Sequence, residues 1–276
     1  MKLNYRAVWL SDIHLGSRAC RAEELAHFLK HLRCQKLYLV GDIIDMELLR
    51  SRWHWPAKHN DVVRRILKMA KHTRVVYVPG NHDDAVRSYA SLSFGGVHVR
   101  KDAVHTTVDG RRLLVLHGDQ FDLIVRHSPW LCRIGSRAYD ALVVLNRFYN
   151  TLRAAVGLPY TSLSQSIKQK VKTACTFISH FEEAMMHEAQ KRQMDGVVCG
   201  HIHKAEIRME AVQYFNCGDW VEGGTALVEH YDGRMEIIDG IAAMKALDAH
   251  KDFQKQMQKE LSPLPVPTAD QVAKVA

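Results

Sequence analysis

The sequence predicts an α/β protein with helices packed outside sheet. Strand-like and helical segments alternate through the first half, and strand-like runs dominate much of the second. The runs also end in a shared way, on or beside Gly, Asp, Asn or His. Composition agrees with a globular chain: 276 residues, 47% hydrophobic and 25% charged, with only 16 Gly and 7 Pro. Collagen-like, low-complexity and wholly disordered classes are thereby excluded. A chain of this length buries a core as one α/β domain with an insertion, or as two small domains.

Taken in order, the predicted strands are Arg6–Ser11, Lys36–Gly41, Arg74–Gly80, Arg112–Gly118, Gly196–Gly200, Tyr214–Gly218, Thr225–His230 and Met235–Asp239, each rich in β-branched or aromatic residues. Helical spacing occupies Glu23–Leu32 and Asp61–Lys71; in the latter Val62, Ile66 and Met69 fall on one face, Arg64, Arg65 and Lys68 on the other. Asp109-Gly110 and Asp232-Gly233 are hairpin-turn signals. From Asp122 to Met194 no strand is evident, and Ile167, Val171, Ala174, Ile178, Phe181 and Met185 recur at helical spacing. One or two further helices fit Leu131–Leu152, before a Gly157-Leu158-Pro159 break. The expected organisation is a core from 1–121 and 195–240, a helical insertion over 122–194, and a C-terminal helix with a mobile, Pro-containing tail over 241–276.

No run of about 18 apolar residues occurs, so no transmembrane helix is expected. The N-terminal apolar stretch is too short for a signal peptide. Six scattered cysteines without a C-x-x-C pair read as reduced thiols of a cytosolic protein. The net charge is +8, and it is localised. Between Arg126 and Lys172 stand eight basic residues and a single acid, Asp140. Such concentrated basicity points to an anionic partner.

The strand ends carry the chemistry. They read Asp12-Ile13-His14, Gly41-Asp42-Ile43-Ile44-Asp45, Gly80-Asn81-His82-Asp83, His117-Gly118-Asp119 and Gly200-His201-Ile202-His203. All but one of these groups end or directly follow a predicted strand, where α/β folds assemble their sites. Carboxylate, imidazole and amide oxygen suit Mn, Fe, Zn or Mg, and the lack of thiolates argues against structural zinc. Asp-x-His and His-x-His fit a strand or a tight loop, where residues two apart point the same way.

Together these motifs resemble the calcineurin-like metallophosphoesterases. The resemblance implies an αββα sandwich holding two divalent metals, most commonly Mn. It assigns Asp12, His14, Asp42 and His203 to one metal, and Asp42, Asn81, His117 and His201 to the other, with Asp42 bridging. A metal-bridging hydroxide would then attack phosphorus, His82 would stand near the leaving oxygen, and Asp45 would orient its imidazole. Asp83 and Asp119 are expected to secure loops.

Gly218-Asp219-Trp220, His117-Gly118-Asp119 and an insertion between His117 and His201 further resemble the UDP-2,3-diacylglucosamine pyrophosphohydrolases. Members of that subgroup carry Arg where this chain has His82. The resemblance implies a cytoplasmic enzyme, peripheral on the inner membrane face, that releases UMP and a lipid phosphate beneath a helical lid. Ser166 and Lys170 echo polar contacts of that lid. Independently of the family, Arg137, Arg147 and Arg153 are interleaved with aromatic and aliphatic residues. This suits an anionic amphiphile or an anionic membrane, and equally suits helices packed on the sheet. Trp53 and Trp55 either line the mouth of the same site or wedge a turn at Pro56. A phosphodiesterase acting on nucleic acid or on a small diester is the rival enzyme class, although no nucleic-acid recognition motif is present. A metal-stabilised binding module is the non-enzymatic rival, and it has no need of His82.

Overall fold

The computed structural model describes residues 2–124, 178 and 180–260. Twelve strands form two sheets among these residues. The first sheet has the order β12-β11-β1-β2-β3-β5-β4, and the second β6-β7-β8-β10-β9. Strands β1 (Leu3–Leu10), β2 (Leu32–Val40) and β3 (Arg74–Val78) pair in parallel, joined through α1 (Ala22–His31) and then α2 (Met46–Ser51) and α3 (Ala57–Met69). Short strands β4 (Ser93–Phe94) and β5 (Val97–Val99) extend this sheet at one edge. At the other edge lie β11 (Thr225–Glu229), antiparallel to β1, and β12 (Met235–Asp239). The second sheet comprises β6 (Ala103–Thr106), β7 (Arg112–Val115), β8 (Gly196–Cys199), β9 (Glu206–Arg208) and β10 (Gln213–Asn216). Residues 180–191 form helix α4, and Gly240–Glu260 form α5.

Side-chain alternation explains the layering. In β1, Val8 and Leu10 join Leu25, Phe28, Val62 and Ile66 of the helices, whereas Ala7 and Trp9 join Val115, Val198 and Phe215 of the second sheet. A third core seats Phe181, Met185 and Ala189 of α4 against Leu114, Val197 and Tyr214. The order is therefore helix, sheet, sheet, helix. Both faces of each sheet are covered, which is why the central strands read as nearly continuous apolar runs. No helix of the described residues is long and apolar enough to cross a membrane.

Several expectations need correction. The second strand starts at Leu32, not Lys36, because α1 stops at His31 and the chain enters β2 at once. Helix α3 starts at Ala57, set by Pro56 at its N-cap, four residues ahead of Asp61. Strands β4, β5, β6 and β9 fall outside the predicted runs; β4, β5 and β9 have three residues or fewer, too short for periodicity to register. Both hairpin turns occur as read, Asp109-Gly110 between β6 and β7 and Asp232-Gly233 between β11 and β12. Most of the expected insertion and the tail beyond Glu260 lie outside the described residues.

Candidate metal centre

Five loops converge at one end of the sandwich, each leaving a strand of known register. Asp12 and His14 follow β1, and Asp42 and Asp45 follow β2. Asn81 and His82 follow β3, His117 follows β7, and His201 and His203 follow β8. The loops are stitched together by their backbones: the Asp12 N–H donates to the Gly41 carbonyl at 3.1 Å, and the His14 N–H to the Asp42 carbonyl at 2.8 Å.

The backbone at these positions is unusual. Asp12, His14, Asp42, His201 and His203 all have positive φ, between 52° and 70°, and they are five of the seven non-glycine residues with positive φ among the described residues. Such a conformation costs an L-residue roughly 1–2 kcal/mol, and Asp, Asn and His tolerate it best. Strain of this kind collects at functional sites, where the surrounding fold over-determines it. Gly41 shares the left-handed region (φ +76°), and a Cβ there would stand 2.1 Å from His117 Nδ1, so only glycine fits.

The side chains form three interlocked groups: Asp12, His14 and His203; Asp42, His117 and His201; and His14, Asp45 and His82. Within each group the potential donor atoms lie within 4.8 Å of one another. Asp42 stands between the first two groups, with its Oδ2 3.4 Å from His117 Nε2 and 3.9 Å from His14 Nε2. Asp12 Oδ1 is 3.1 Å from His203 Nε2, and Asp12 Oδ2 accepts the His201 N–H at 3.0 Å. His117 Nδ1 lies 2.9 Å from the Val40 carbonyl, which accepts its proton and turns Nε2 toward Asp42.

Asp45 joins two histidines through its two oxygens. Oδ2 is 3.2 Å from His14 Nδ1, and Oδ1 is 3.0 Å from His82 Nδ1. Asn81 is exposed and lies beside His82, whose backbone N–H donates to Asp42 Oδ1 at 2.9 Å.

The arrangement fits divalent cations. Asp12 Oδ1, His14 Nε2 and His117 Nε2 are buried and, apart from the ion-pair approaches among themselves and their neighbours, make no hydrogen bond among the described residues. An unmet buried polar atom costs about 1–3 kcal/mol, so three of them directed into one cluster call for a positive ligand. The local field agrees. Burial alone would lower the His117 pKa, but the Asp42 carboxylate, with Asp12 behind it, pushes it up to about 10. Burial opposes ionisation of Asp12, yet the neighbouring histidines, His203 first, hold its carboxyl well below the usual range. Burial likewise opposes a charge on His82, but Asp42 and the hydrogen bond to Asp45 raise its pKa above the ordinary value.

Further contacts surround the cluster, some with partners that no motif indicates. Asp83 was expected to secure a loop, and it accepts from the N–H groups of Ile43 at 2.7 Å and Gly80 at 2.5 Å and from the Tyr77 hydroxyl. Asp119 is clamped by both oxygens to Arg87 Nη2, at 2.7 and 2.6 Å, a partner no motif indicates. Trp220 acts through its backbone, its N–H donating to the Asp12 carbonyl at 3.0 Å. Of the two tryptophans after α2, Trp53 is 76% exposed. Trp55 packs against the first core, and its indole N–H donates to Asn60 at 2.8 Å. Arg137, Arg147, Arg153, Ser166 and Lys170 lie outside the described residues.

A family model described as calcineurin-like phosphoesterase matches residues 5–205. No curated protein matches the chain. Among solved structures, a single mutant of Vps29 from Entamoeba histolytica is 13% identical, covering 84% of this chain and 96% of its own, with a TM-score of 0.40. Vacuolar protein sorting 29 from Cryptosporidium parvum is 13% identical over 84% of this chain and 94% of its own, with a TM-score of 0.39. A conserved uncharacterized protein from Streptococcus pneumoniae, described as a predicted phosphoesterase, is 11% identical over 85% of this chain and 97% of its own, with a TM-score of 0.36.

Proposed function

From the premise that the chain belongs to the calcineurin-like phosphoesterase family, we propose that it hydrolyses a phosphoester or pyrophosphate bond with two divalent metal ions, manganese in this reading. The observation that carries this is the Asp42 carboxylate standing between two histidine groups, each with its own second carboxylate or imidazole. Asp12, His14, Asp42 and His203 would hold one ion, and Asp42, Asn81, His117 and His201 the other. When bound, such ions offset phosphate charge and make water acidic enough to supply a nucleophile near neutral pH.

The remaining work belongs to side chains. His82 Nδ1 faces Asp45, which leaves Nε2–H as the donor toward a leaving oxygen. The hydrogen-bonded Asp45 carboxylate favours the protonated form that this role needs. Because Asp45 also faces His14 Nδ1, one carboxylate orients both a metal ligand and the proton donor.

The substrate in this reading is a nucleotide-linked lipid of the UDP-2,3-diacylglucosamine type, met at the inner face of a membrane. An apolar cavity of about 270 Å³ supports it. Leu15, Ile43 and Ile44, from the loops that carry His14, Asp42 and Asp45, form one wall, and Val63, Leu67 and Phe94 form another. A bare nucleic-acid diester has no use for such a wall, whereas an acyl chain does.

Turnover with manganese should be compared for UDP-diacylglucosamine, its deacylated form, bis-p-nitrophenyl phosphate, cyclic nucleotides and single-stranded DNA. The acylated substrate is expected to turn over fastest. Preference for single-stranded DNA would replace the lipid reading with a nuclease, and absence of turnover on every substrate would remove the enzymatic one. Asp42→Ala is expected to lose bound metal and activity together; intact metal content with intact activity would overturn the bridging role.

A further inference from the structure

A second concentration of charge lies far from the metal loops. Lys2, Lys30, Arg33, Arg65 and Lys68 line one groove of about 470 Å³, and among the described residues no carboxylate lines it with them. The topology assembles it. Strands β1, β2 and β3 run parallel, so the residues that enter them share one end of the sheet. Helices α1 and α3 return against the strands and deliver their C-terminal turns to that same end. Leu32, Cys34 and Thr73 form a buried floor, and the cations stand around it.

Ordinary surface solvation accounts poorly for this set. Among the described residues none of the five pairs with a carboxylate, although neighbours on the same helices do: Lys58 with Glu23, and Arg64 with Asp61. The C-termini of α1 and α3 each present about half a negative charge, which would be balanced by roughly one cation. The groove holds five. Like charges gathered in a concavity repel one another, and a cleft focuses their field outward onto an anion. Nine residue steps along β2 and the turn after it separate Arg33 from Asp42, about 30 Å at strand rise and several Debye lengths at physiological salt, so the groove does not serve the metal centre electrostatically.

We propose that this groove is a second ligand site, for a molecule bearing two or more phosphoryl groups. The guanidinium groups of Arg33 and Arg65 can each grip phosphoryl oxygens bidentately, while Lys2, Lys30 and Lys68 supply point charges. The volume lies within the range of small-molecule pockets. The ligand is either a soluble polyphosphate compound or the headgroup of an anionic lipid, and both present the same chemistry to the groove.

The test is binding of inorganic triphosphate to the metal-loaded full chain, to Asp42→Ala, and to the double variant Lys30→Gln, Arg65→Gln. A parallel arm uses phosphatidylcholine vesicles with and without cardiolipin, whose headgroup carries two phosphoryl groups. Binding that persists in Asp42→Ala and weakens at least tenfold in the double variant is expected, with affinity falling steeply as salt rises. Capture by anionic vesicles alone, lost in the double variant, assigns the lipid headgroup; triphosphate binding assigns a soluble ligand. The double variant should retain diester turnover and melt no lower than the parent, since it relieves repulsion. Undiminished binding by the double variant, or no binding of either probe to the parent, overturns the proposal.

Discussion

His82 reaches the metal centre through a carboxylate that it shares with His14, and this makes the roles of neighbouring residues separable. His82→Ala is expected to keep both metals and lose roughly 10²–10⁴-fold in turnover, the usual contribution of a positioned acid–base group. Metal analysis alongside single-turnover kinetics checks this; loss of metal would make His82 a ligand, and unchanged turnover would remove it from the chemistry. The convergence of Asp12, His14, Asp42, His117, His201 and His203 was legible in the sequence because Asp and His at strand ends announce both chemistry and tolerance of left-handed backbone. The double hold of Asp45 was not legible, since nothing in a linear motif tells that one carboxylate meets two rings from different loops. Arg87 was invisible for the same reason, its partner Asp119 lying 32 residues away.

Helix α4 buttresses the centre from behind the second sheet. Phe181 is fully buried, its ring centroid 5.9 Å from that of His201. A Cβ on Gly118 would come within 2.6 Å of Phe181 Cζ, so the ring rests directly on the loop after His117. The next residue, Glu182, is buried and receives Arg208 Nη1 at 2.5 Å and Lys204 Nζ at 3.4 Å, tying the helix to the segment after His203. Phe181→Ala should cost about 3–5 kcal/mol and weaken metal binding by His117 and His201, whereas Phe181→Leu should restore most of both. Denaturant titration and metal titration read the two effects separately, and a stability loss with unchanged metal affinity would reduce the ring to packing. Helical spacing through Phe181 and Met185 made this helix readable, and long apolar runs did the same for the central strands. Strand β5, only Val97–Val99, owes its place to pairing with β3 and not to any local pattern.

Across the whole molecule, the two sheets are pinned by an ion cluster as well as by apolar packing. Glu229 of β11 accepts from Arg6 Nη1 of β1 at 2.6 Å and lies 2.9 Å from His105 Nε2 of β6, in the other sheet. Burial is the main influence on His105 and holds its pKa below the ordinary value despite Glu229. Burial opposes ionisation of Glu229, but hydrogen bonds from His105, Arg6 and the Val108 N–H keep its pKa low. A lowered histidine contributes stability that is complete above about pH 6.5 and lost as pH falls; a lowered glutamate does the same below about pH 4.3. Both therefore weaken the sandwich on acidification, histidine first. His105→Gln should flatten the loss of stability between pH 7 and 5, measured by urea unfolding, and an unchanged slope would exclude His105 as a source. The same pairing has a consequence in time. Arg6 and Glu229 are 223 residues apart, and β1 lies inside its sheet, between β11 and β2. A ribosome adding 5–20 residues per second reaches β11 roughly 10–45 s after β1. Throughout that interval the nascent chain presents Ala7, Val8 and Trp9 along an unpaired strand edge, open to chaperones and to other chains alike. A message ending after β10 would release a product in which β1 never gains its second neighbour.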